Sequence, residues 1–315
     1  MWKGYEALPS YFGGKRKLAR RILSYAEGKV FIDAFLGGGS VSLLAKAKGF
    51  KVICNDIAER SRIVGKAIIE NKNKKLTDYD IYSLFKETDN NFIRDNFPNL
   101  ALEKDVKFLD NAFANAKTDL QKLLLIKFLF KYKPFSMLSN KVPKDLSNCN
   151  LKVIKPHLKY MFKPIRTLKR IKEQINYGIF DNGQDNEFHQ KDVFEFLRNV
   201  KGDTIYFDPP YAGSQSYEEF YNILDSILMQ KKIPVKKSKF NSAEAEKFLH
   251  RLLDESMHIK KVIFSFGGPK IDGQQLLKIV QEHRPAELYE IKHKWSITAS
   301  KEQMQTATEI LVVTK

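Results

Sequence analysis

An acid, two prolines and an aromatic residue stand together at Asp208-Pro209-Pro210-Tyr211, directly after the apolar run 204–207. A carboxylate can accept a hydrogen bond from an amino group, and a flanking ring can stack on a flat heterocycle. The run shows no polar alternation, which is typical of a buried central strand, and two successive prolines cannot continue its ladder. We therefore expect Asp208 on a stiff turn at the carboxyl edge of a sheet, where open α/β sheets bind ligands. An ordinary strand end would carry the same residues.

A glycine loop lies earlier in the chain. The predicted strand Val30-Phe31-Ile32-Asp33-Ala34 leads into Phe35-Leu36-Gly37-Gly38-Gly39-Ser40, and an apolar-periodic helix is predicted over 41–48. Glycines permit positive φ and close approach of the backbone to a ligand, and the start of a helix offers unpaired amide groups. The spacing is neither that of a dinucleotide-binding Gly-x-Gly-x-x-Gly loop nor that of a Walker loop. The arrangement indicates a site for a nucleoside cofactor.

Two further acids are placed to complete such a site. Asp56 ends a second predicted strand, 51–56, and lies 17 residues after Gly39, about where a doubly wound sheet has its ribose-binding carboxylate. A strand predicted at 175–180 is followed by a short predicted helix from Val193 to Arg198. We therefore expect Asp192 to lie at the carboxyl edge of another strand, near the base of the cofactor. A plain turn at 55–56 and an N-cap at Asp192 are open alternatives.

The charge points to a polyanionic partner. The chain has 315 residues and a net charge of +17, and nucleic acid is the commonest partner of so basic a protein. From 151 to 172 it carries eight basic residues and no acid: Lys152, Lys155, Lys159, Lys163, Arg166, Lys169, Arg170 and Lys172. Such a run suits phosphate contacts, which position a protein on nucleic acid without reading its sequence.

A second basic run, 231–239, holds five lysines, Lys236 and Lys237 among them, and is broken by Pro234. It predicts a mobile loop that could close over a polyanion. Because the chain has no apolar run long enough for a bilayer, we expect a soluble, cytoplasmic protein rather than one on a membrane. Its two cysteines, Cys54 and Cys149, and its scattered histidines form no metal-ligand spacing, so we expect no metal site.

Alternating strands and helices predict an α/β fold with a mostly parallel sheet. Further strands are expected at 262–266, 288–292 and 308–313, the last two as an antiparallel pair at the sheet edge, and helices at 218–230, 242–257 and 273–282. Between 58 and 172 the sequence has almost no strand patterns, and its apolar residues follow helical spacing instead. We therefore predict a discontinuous catalytic domain, 1–57 and 175–315, interrupted by a mainly helical domain, 58–174.

These pieces resemble the Dam-like α-group DNA adenine methyltransferases. The resemblance is carried, in this order, by Tyr11-Phe12-Gly13-Gly14-Lys15, by 33–39, by Asn55-Asp56 and by Asp208-Pro209-Pro210-Tyr211. It implies a Rossmann-like methyltransferase sheet with an inserted helical target-recognition domain. It also implies S-adenosyl-L-methionine as cofactor and methyl transfer to the exocyclic amino group of a flipped adenine in duplex DNA.

The resemblance also implies roles for single residues. Asp208 would hydrogen-bond the target amino group with the Pro209 carbonyl as a second acceptor, Pro210 would stiffen the turn, and Tyr211 would stack on the flipped base. The cofactor would be contacted by Tyr11, Lys15, Asp33, Phe35, Gly37 and Gly39, with Asp56 on its ribose and Asp192 near its base. The basic residues Lys152, Lys155, Lys159, Lys163, Arg166, Lys169, Arg170, Lys236 and Lys237 would contact DNA.

The segment 135–140 departs from the relatives, because it lacks the arginine and tyrosine of their base-reading hairpin. The target sequence is therefore open. Three other functions share part of the pattern: an RNA adenine methyltransferase, a catalytically silent nucleic-acid binder and a nicotinamide-dependent oxidoreductase. The loop spacing and the basic charge disfavour the last. We expect a prokaryotic or phage-encoded protein, with a cognate restriction endonuclease in the same cell as a partner.

Overall fold

The computed structural model describes residues 2–101, 103–131, 163–210, 216–236, 238–266, 270–295 and 305–315. Within them, seven strands form one sheet in the order β3-β2-β1-β4-β5-β7-β6. The strands are β1 (Val30–Asp33), β2 (Lys51–Asn55), β3 (Glu187–His189), β4 (Thr204–Phe207), β5 (Lys261–Phe266), β6 (Ala286–Trp295) and β7 (Gln305–Thr314).

The sheet is parallel from β3 to β5 and ends in an antiparallel pair. Ile32 of β1 lies opposite Ile53 of β2 on one side and Ile205 of β4 on the other. Strand β7 runs antiparallel to β6, as predicted for the two closing strands, and it runs antiparallel to β5 as well. The chain leaves β1 towards β2 and later returns to its other side as β4. The strand order therefore reverses between β1 and β4, and ligands of open α/β sheets bind at the carboxyl ends of such strands.

Helices cover both faces of this sheet. They are α1 (Ala19–Ile22), α2 (Ser40–Ala47), α3 (Glu59–Val64), α4 (Asp78–Ser83), α5 (Phe92–Asn96), α6 (Glu103–Asn115), α7 (Asp119–Lys131), α8 (Pro164–Tyr177), α9 (Val193–Asn199), α10 (Tyr217–Met229), α11 (Ala245–Glu255) and α12 (Gly273–Gln281). A π-helical stretch (Gly65–Glu70) continues α3, and short 3-10 helices lie at Lys3–Ala7 and Lys239–Asn241.

Alternate residues of the central strands enter two different cores. Phe31 and Tyr206 pack in a cluster that extends into α6 and α7, whereas Ile32, Ile205 and Phe207 pack against the side of α9, α11 and α12. Every residue of β4 is buried. A strand covered on both faces needs apolar residues at every position, which is why its sequence shows no polar alternation.

The strand predicted at 175–180 is wrong. Helix α8 continues to Tyr177, and the strand before Asp192 is β3. Leu168, Ile171 and Ile175 are buried at a spacing of three and four residues. The apolar residues that suggested a strand therefore belong to the end of a helix face. Strand β3 has three residues, of which only Phe188 is buried, and so short a strand gives no readable alternation.

All the secondary-structure elements among the described residues between 58 and 131 are helices, joined by turns and loops. Helix α7 packs against α3 and α8, and α8 packs against the amino-terminal 3-10 helix. The division into domains at 57 and 175 stays a prediction. Within the described part of the chain, no helix combines the length and the apolar character needed to cross a bilayer.

Candidate active site

A cavity of about 470 Å³ lies at the carboxyl edge of the sheet, where β1, β2 and β4 end. Its walls include the glycine loop after β1, Asp56 after β2 and Asp208 after β4. Because parallel strands end at the same edge, segments that are far apart in sequence meet here. The cavity therefore lies where the strand order reverses.

The glycine loop forms one wall of the cavity. Its backbone has a conformation that other residues cannot adopt without strain. Gly37 has a φ of +52° and Gly39 a φ of +74°. A Cβ atom on Gly38 would lie 2.6 Å from the Cβ of Tyr11, closer than any real contact. The loop thus lies against Tyr11, which also lines the cavity, and its lack of side chains lets a ligand approach the backbone closely.

Asp56 holds this loop in place. One carboxylate oxygen accepts from the Gly37 N–H (2.8 Å) and the other from the Ala58 N–H (2.9 Å). A carboxylate has about four acceptor positions, so Asp56 can still accept from hydroxyl groups of a ligand. Next to it, the Ile57 side chain is 71% exposed although it lines the cavity.

Asp33 is the most buried acid of the site. Its residue is 2% exposed, and its Oδ2 accepts from the Ser42 hydroxyl at 2.7 Å. Burial raises the pKa of the Asp33 carboxyl to about 7. Its Oδ1 is buried and has no hydrogen-bond partner among the described residues. An unsatisfied carboxylate oxygen beside a cavity is suited to a cationic donor group on a ligand.

Asp192 is a further acid of the cavity wall and has the capping role as well. Its side chain accepts from the Phe194 N–H at 3.0 Å at the start of α9, and it lines the cavity. Asn55 at the end of β2 bonds the backbone of Lys191 in both directions, at 3.2 and 3.1 Å. Below them, Phe35 and Phe194 both pack against Phe240. These rings give this end of the cavity an apolar floor.

Asp208 follows β4, and its side chain is 18% exposed. The Lys15 ammonium donates to its Oδ1 at 2.9 Å and to the Gly13 carbonyl at 3.3 Å. The same ammonium lies 3.4 Å from Oε1 of Glu309 on β7, which also accepts from the Ser265 hydroxyl at 2.7 Å. Lys15 was predicted to contact the cofactor, and the structure places its ammonium between two carboxylates.

Tyr11 is held by residues that the sequence did not single out. Its ring stacks on Tyr221 at 5.1 Å between centroids, and its hydroxyl accepts from Arg60 at 3.3 Å. Arg60 forms a buried ion pair with Asp225 on α10. These residues are separated by tens to hundreds of positions, so no local spacing could have indicated their contact. Glu309 had the weak signal of an acid that opens a buried apolar stretch.

Several predicted residues lie outside the described ones. They are Tyr211 of the catalytic motif and four of the DNA-contact residues: Lys152, Lys155, Lys159 and Lys237. Cys149 and the segment 135–140 lie outside them as well. Pro210 and Lys236 line the cavity, and Lys163 is exposed at the start of α8.

The sequence suggested that the basic run on α8 has no acidic neighbour. In the folded chain it has one. Asp78 on α4 accepts from Lys169 at 2.8 Å and from Lys172 at 2.7 Å. The partner comes from a residue about ninety positions earlier, which a reading of the run itself could not find. Arg166 and Arg170 share this helix.

Residues 11–275 match the model of the D12 class N6 adenine-specific DNA methyltransferases. The chain belongs to this family. The predicted family is thereby confirmed, and so are the reaction, methyl transfer to N6 of adenine in DNA, and S-adenosyl-L-methionine as the methyl donor. An oxidoreductase function is excluded by this membership.

Relatives of this adenine methyltransferase agree in type. It is 25% identical to the Type II methyltransferase M2.HphI of Haemophilus parahaemolyticus over 325 residues, which cover 96% of each chain. It is 26% identical to the modification methylase StsI of Streptococcus sanguinis and 22% identical to the modification methylase LlaI of Lactococcus lactis subsp. lactis. Those two alignments cover 69% of this chain but only 36% and 38% of the relatives, so both relatives are much longer.

The residues of the cavity fit the methyl donor. The glycine loop provides backbone without side chains, the unsatisfied Asp33 oxygen suits an amino group, and Asp56 suits hydroxyl groups. No group of three or more metal-ligating side chains is found among the described residues.

Proposed function

We propose that this methyltransferase acts on an adenine swung out of duplex DNA, and that Asp208 receives the amino group of that base. The observation that carries this proposal is the position of Asp208: it follows the stiff end of β4 and lines the same cavity as the glycine loop. A base buried in a duplex cannot reach such a cavity, so it has to be extruded. Tyr211, three residues after Asp208, is proposed to stack on the extruded base.

The amino group of adenine is a poor nucleophile, because its lone pair is delocalised into the ring. Asp208 and the Pro209 carbonyl are proposed to accept its two hydrogens and so to direct the lone pair out of the ring plane. S-adenosylmethionine supplies a methyl group on a cationic sulfur, which keeps the bonding pair when the methyl group leaves. As the new N–C bond forms, the positive charge passes to the amino nitrogen. Asp208 accepts one proton from it and releases that proton to water.

The donor is proposed to be oriented by three acids of the cavity and by its apolar and aromatic side chains. Asp33 would hold the amino group of its methionine part, and Asp56 would hold its ribose hydroxyls. Phe35 and the exposed Ile57 would cover the faces of its adenine, with Asp192 near the edge. Tyr11, which lies against the glycine loop and lines the cavity, would also contact the donor. Orientation of this kind supplies much of the rate enhancement in a direct displacement.

We further propose that the enzyme modifies one specific DNA sequence and protects it from a partner endonuclease in a bacterial cytoplasm. This rests on the type of the relatives, which include a Type II methyltransferase and two modification methylases from bacteria. Sequencing of methylated positions in DNA from cells that express the chain would give the target sequence. Methylation scattered over all adenines would contradict a specific site.

The activity is tested with labelled S-adenosylmethionine and duplex DNA, followed by digestion to nucleosides. We expect label in N6-methyladenine, and we expect Asp208→Asn to lower the rate by about 10²- to 10³-fold because one acceptor loses its charge. Binding of DNA should persist in this variant. The matched control is Glu246→Gln, which changes an exposed carboxylate on α11 and should leave the rate unchanged. Label found only in RNA, or in cytosine, would overturn the proposal.

A further inference from the structure

Glu309 reaches the active site from a strand that contributes nothing else to the predicted motifs. It lies on β7, which is separated from β4 by β5, and its side chain is 12% exposed. The Ser265 hydroxyl on β5 donates to its Oε1 at 2.7 Å and holds the carboxylate in place. Glu309 also lies beyond residues 11–275, the part of the chain that the family model matches. Its position is therefore built by this sheet and not indicated by a motif.

Lys15 is shared between two carboxylates. Its ammonium lies 2.9 Å from Asp208 and 3.4 Å from Glu309, and its side chain is 7% exposed. Burial by itself would lower the pKa of Lys15, but the two carboxylates outweigh burial and hold this pKa above its ordinary value. Lys15 therefore stays charged, and with both carboxylates ionised the three side chains together carry one net negative charge.

That net charge matters because of what passes through the cavity. Without Glu309, the Lys15 charge would cancel that of Asp208, and the pair would be neutral. The proposed reaction brings a cationic sulfur to this place and then moves its positive charge onto the amino nitrogen of adenine. A fixed negative charge in a buried site stabilises such a charge strongly, since little water is present to screen it.

We propose that Glu309 is a positioning residue for methyl transfer, which shares Lys15 with Asp208 and thereby leaves the Asp208 end of the cavity with a net negative charge. Lys15 fixes the direction of Asp208, and Glu309 offsets the charge that Lys15 brings. Asp208 is proposed to accept from the amino group of the base in addition to Lys15, since a carboxylate has about four acceptor positions. This inference rests on the proposed function.

The test compares Glu309→Gln and Glu309→Asp with the wild-type enzyme in single-turnover methylation of duplex DNA. Glutamine keeps an oxygen for the Ser265 hydroxyl but removes the charge, so the rate should fall about 10- to 100-fold. Aspartate keeps the charge and should recover most of that loss. Affinity for DNA should change by less than about twofold in both, because the Glu309 side chain is 12% exposed and its carboxylate contacts Lys15 and Ser265. The matched control is Glu290→Gln, which changes an exposed carboxylate on the adjacent strand β6.

A double-variant cycle shows whether Glu309 acts through Lys15. In a Lys15→Gln enzyme the two carboxylates lie near each other without a cation between them, so one of them is expected to be protonated, and adding Glu309→Gln should change the rate by less than about threefold. The same fold loss in both backgrounds would overturn the proposal, and so would a wild-type rate in Glu309→Gln. Equal losses in the glutamine and aspartate variants, with a lowered melting temperature in both, would mean a structural role and would overturn it as well.

The inference and the proposed function fail in different ways. If the wild-type enzyme puts no methyl group on adenine in duplex DNA, the proposed function fails whatever the variants do. If the wild-type enzyme methylates adenine and Glu309→Gln does so at the same rate, only the role of Glu309 is refuted.

Discussion

At the scale of single residues, Asp33 shows how burial prepares a group for a ligand. Burial raises the pKa of its carboxyl to about 7, although the Ser42 hydroxyl stabilises the charged form and partly opposes this rise. A cation that bonds the carboxylate favours the ionised form, so binding of a cationic ligand and loss of the proton are coupled. Because Asp33 is expected to hold a protonated amino group, this coupling gives the cavity a measurable dependence on pH.

We predict that affinity for S-adenosylmethionine rises with pH between about 5.5 and 7, by up to about tenfold per unit, as Asp33 loses its proton. The sign follows from the raised pKa: below it the free enzyme is protonated at Asp33, and binding has to displace that proton. Calorimetry in buffers of different ionisation enthalpy would detect the released proton. In Asp33→Asn the affinity should be lower and nearly independent of pH. A flat profile of the wild-type enzyme would contradict this role of Asp33.

At the scale of elements, helix α10 connects the amino-terminal segment to the sheet edge. Tyr217 and Tyr221 on this helix stack on Tyr11, with ring centroids 6.0 and 5.1 Å away. Arg60 on α3 lies 4.4 Å above the Tyr221 ring and pairs with Asp225, also on α10. Breaking a buried ion pair on one side leaves an uncompensated charge, whereas replacing both partners removes the problem.

We predict that Arg60→Met lowers the free energy of unfolding by about 3 kcal/mol, because Asp225 is left buried without its partner. The double variant Arg60→Met with Asp225→Leu should recover at least half of that loss. Urea unfolding of the three proteins measures both effects. Arg94→Gln on α5 is the matched control, since the side chain of Arg94 is 59% exposed. A double variant less stable than Arg60→Met would refute this account.

At the scale of the whole molecule, the net charge is +17. Some of the basic residues form ion pairs within the fold, and others are exposed near the site. Lys15 and Arg60 are buried in ion pairs, and Lys169 and Lys172 pair with Asp78. Other basic residues are exposed near the site, such as Lys236 at the rim of the cavity. Each lysine that contacts a phosphate releases a counterion on binding, so its contribution appears in the salt dependence of affinity.

We predict that affinity for duplex DNA falls steeply with salt concentration, and that Lys236→Gln and Lys163→Gln each reduce the logarithmic slope by about 1. The measurement is a salt titration of binding to duplexes of several sequences, which should weaken uniformly. Lys260→Gln is the control, because Lys260 is exposed and precedes β5 at the opposite edge of the sheet. Slopes unchanged in Lys236→Gln and Lys163→Gln would mean that neither lysine contacts phosphate.

We also predict that Asp78→Asn strengthens binding of DNA, because it frees Lys169 and Lys172 for phosphate contacts. The gain should be largest at low salt, where each additional phosphate contact counts most. The same titration detects it as a steeper slope. Weaker binding in this variant would instead indicate that Asp78 orients α8 for DNA.

The local sequence was sufficient for the elements whose signals are local. The strands that became β1, β2 and β4, the glycine loop and the acids Asp33, Asp56 and Asp208 were all readable, because burial on both faces and a sharp strand end leave their mark within a few residues. The strand predicted at 175–180 is wrong because the apolar residues of a helix face and those of a short strand can have the same local pattern.

Only the tertiary structure decided which side chains meet. The motif predicts that Lys15 contacts the cofactor, and Lys15 lines the cavity; that its ammonium lies between Asp208 and Glu309, residues that follow it by 193 and 294 positions, came only from the fold. No spacing in a linear chain encodes that contact, because it arises when β4, β5 and β7 are laid side by side. The sequence by itself determined the family and the glycine loop and acids at the carboxyl edge of the sheet, and the folded sheet determined which charged side chains lie next to Asp208.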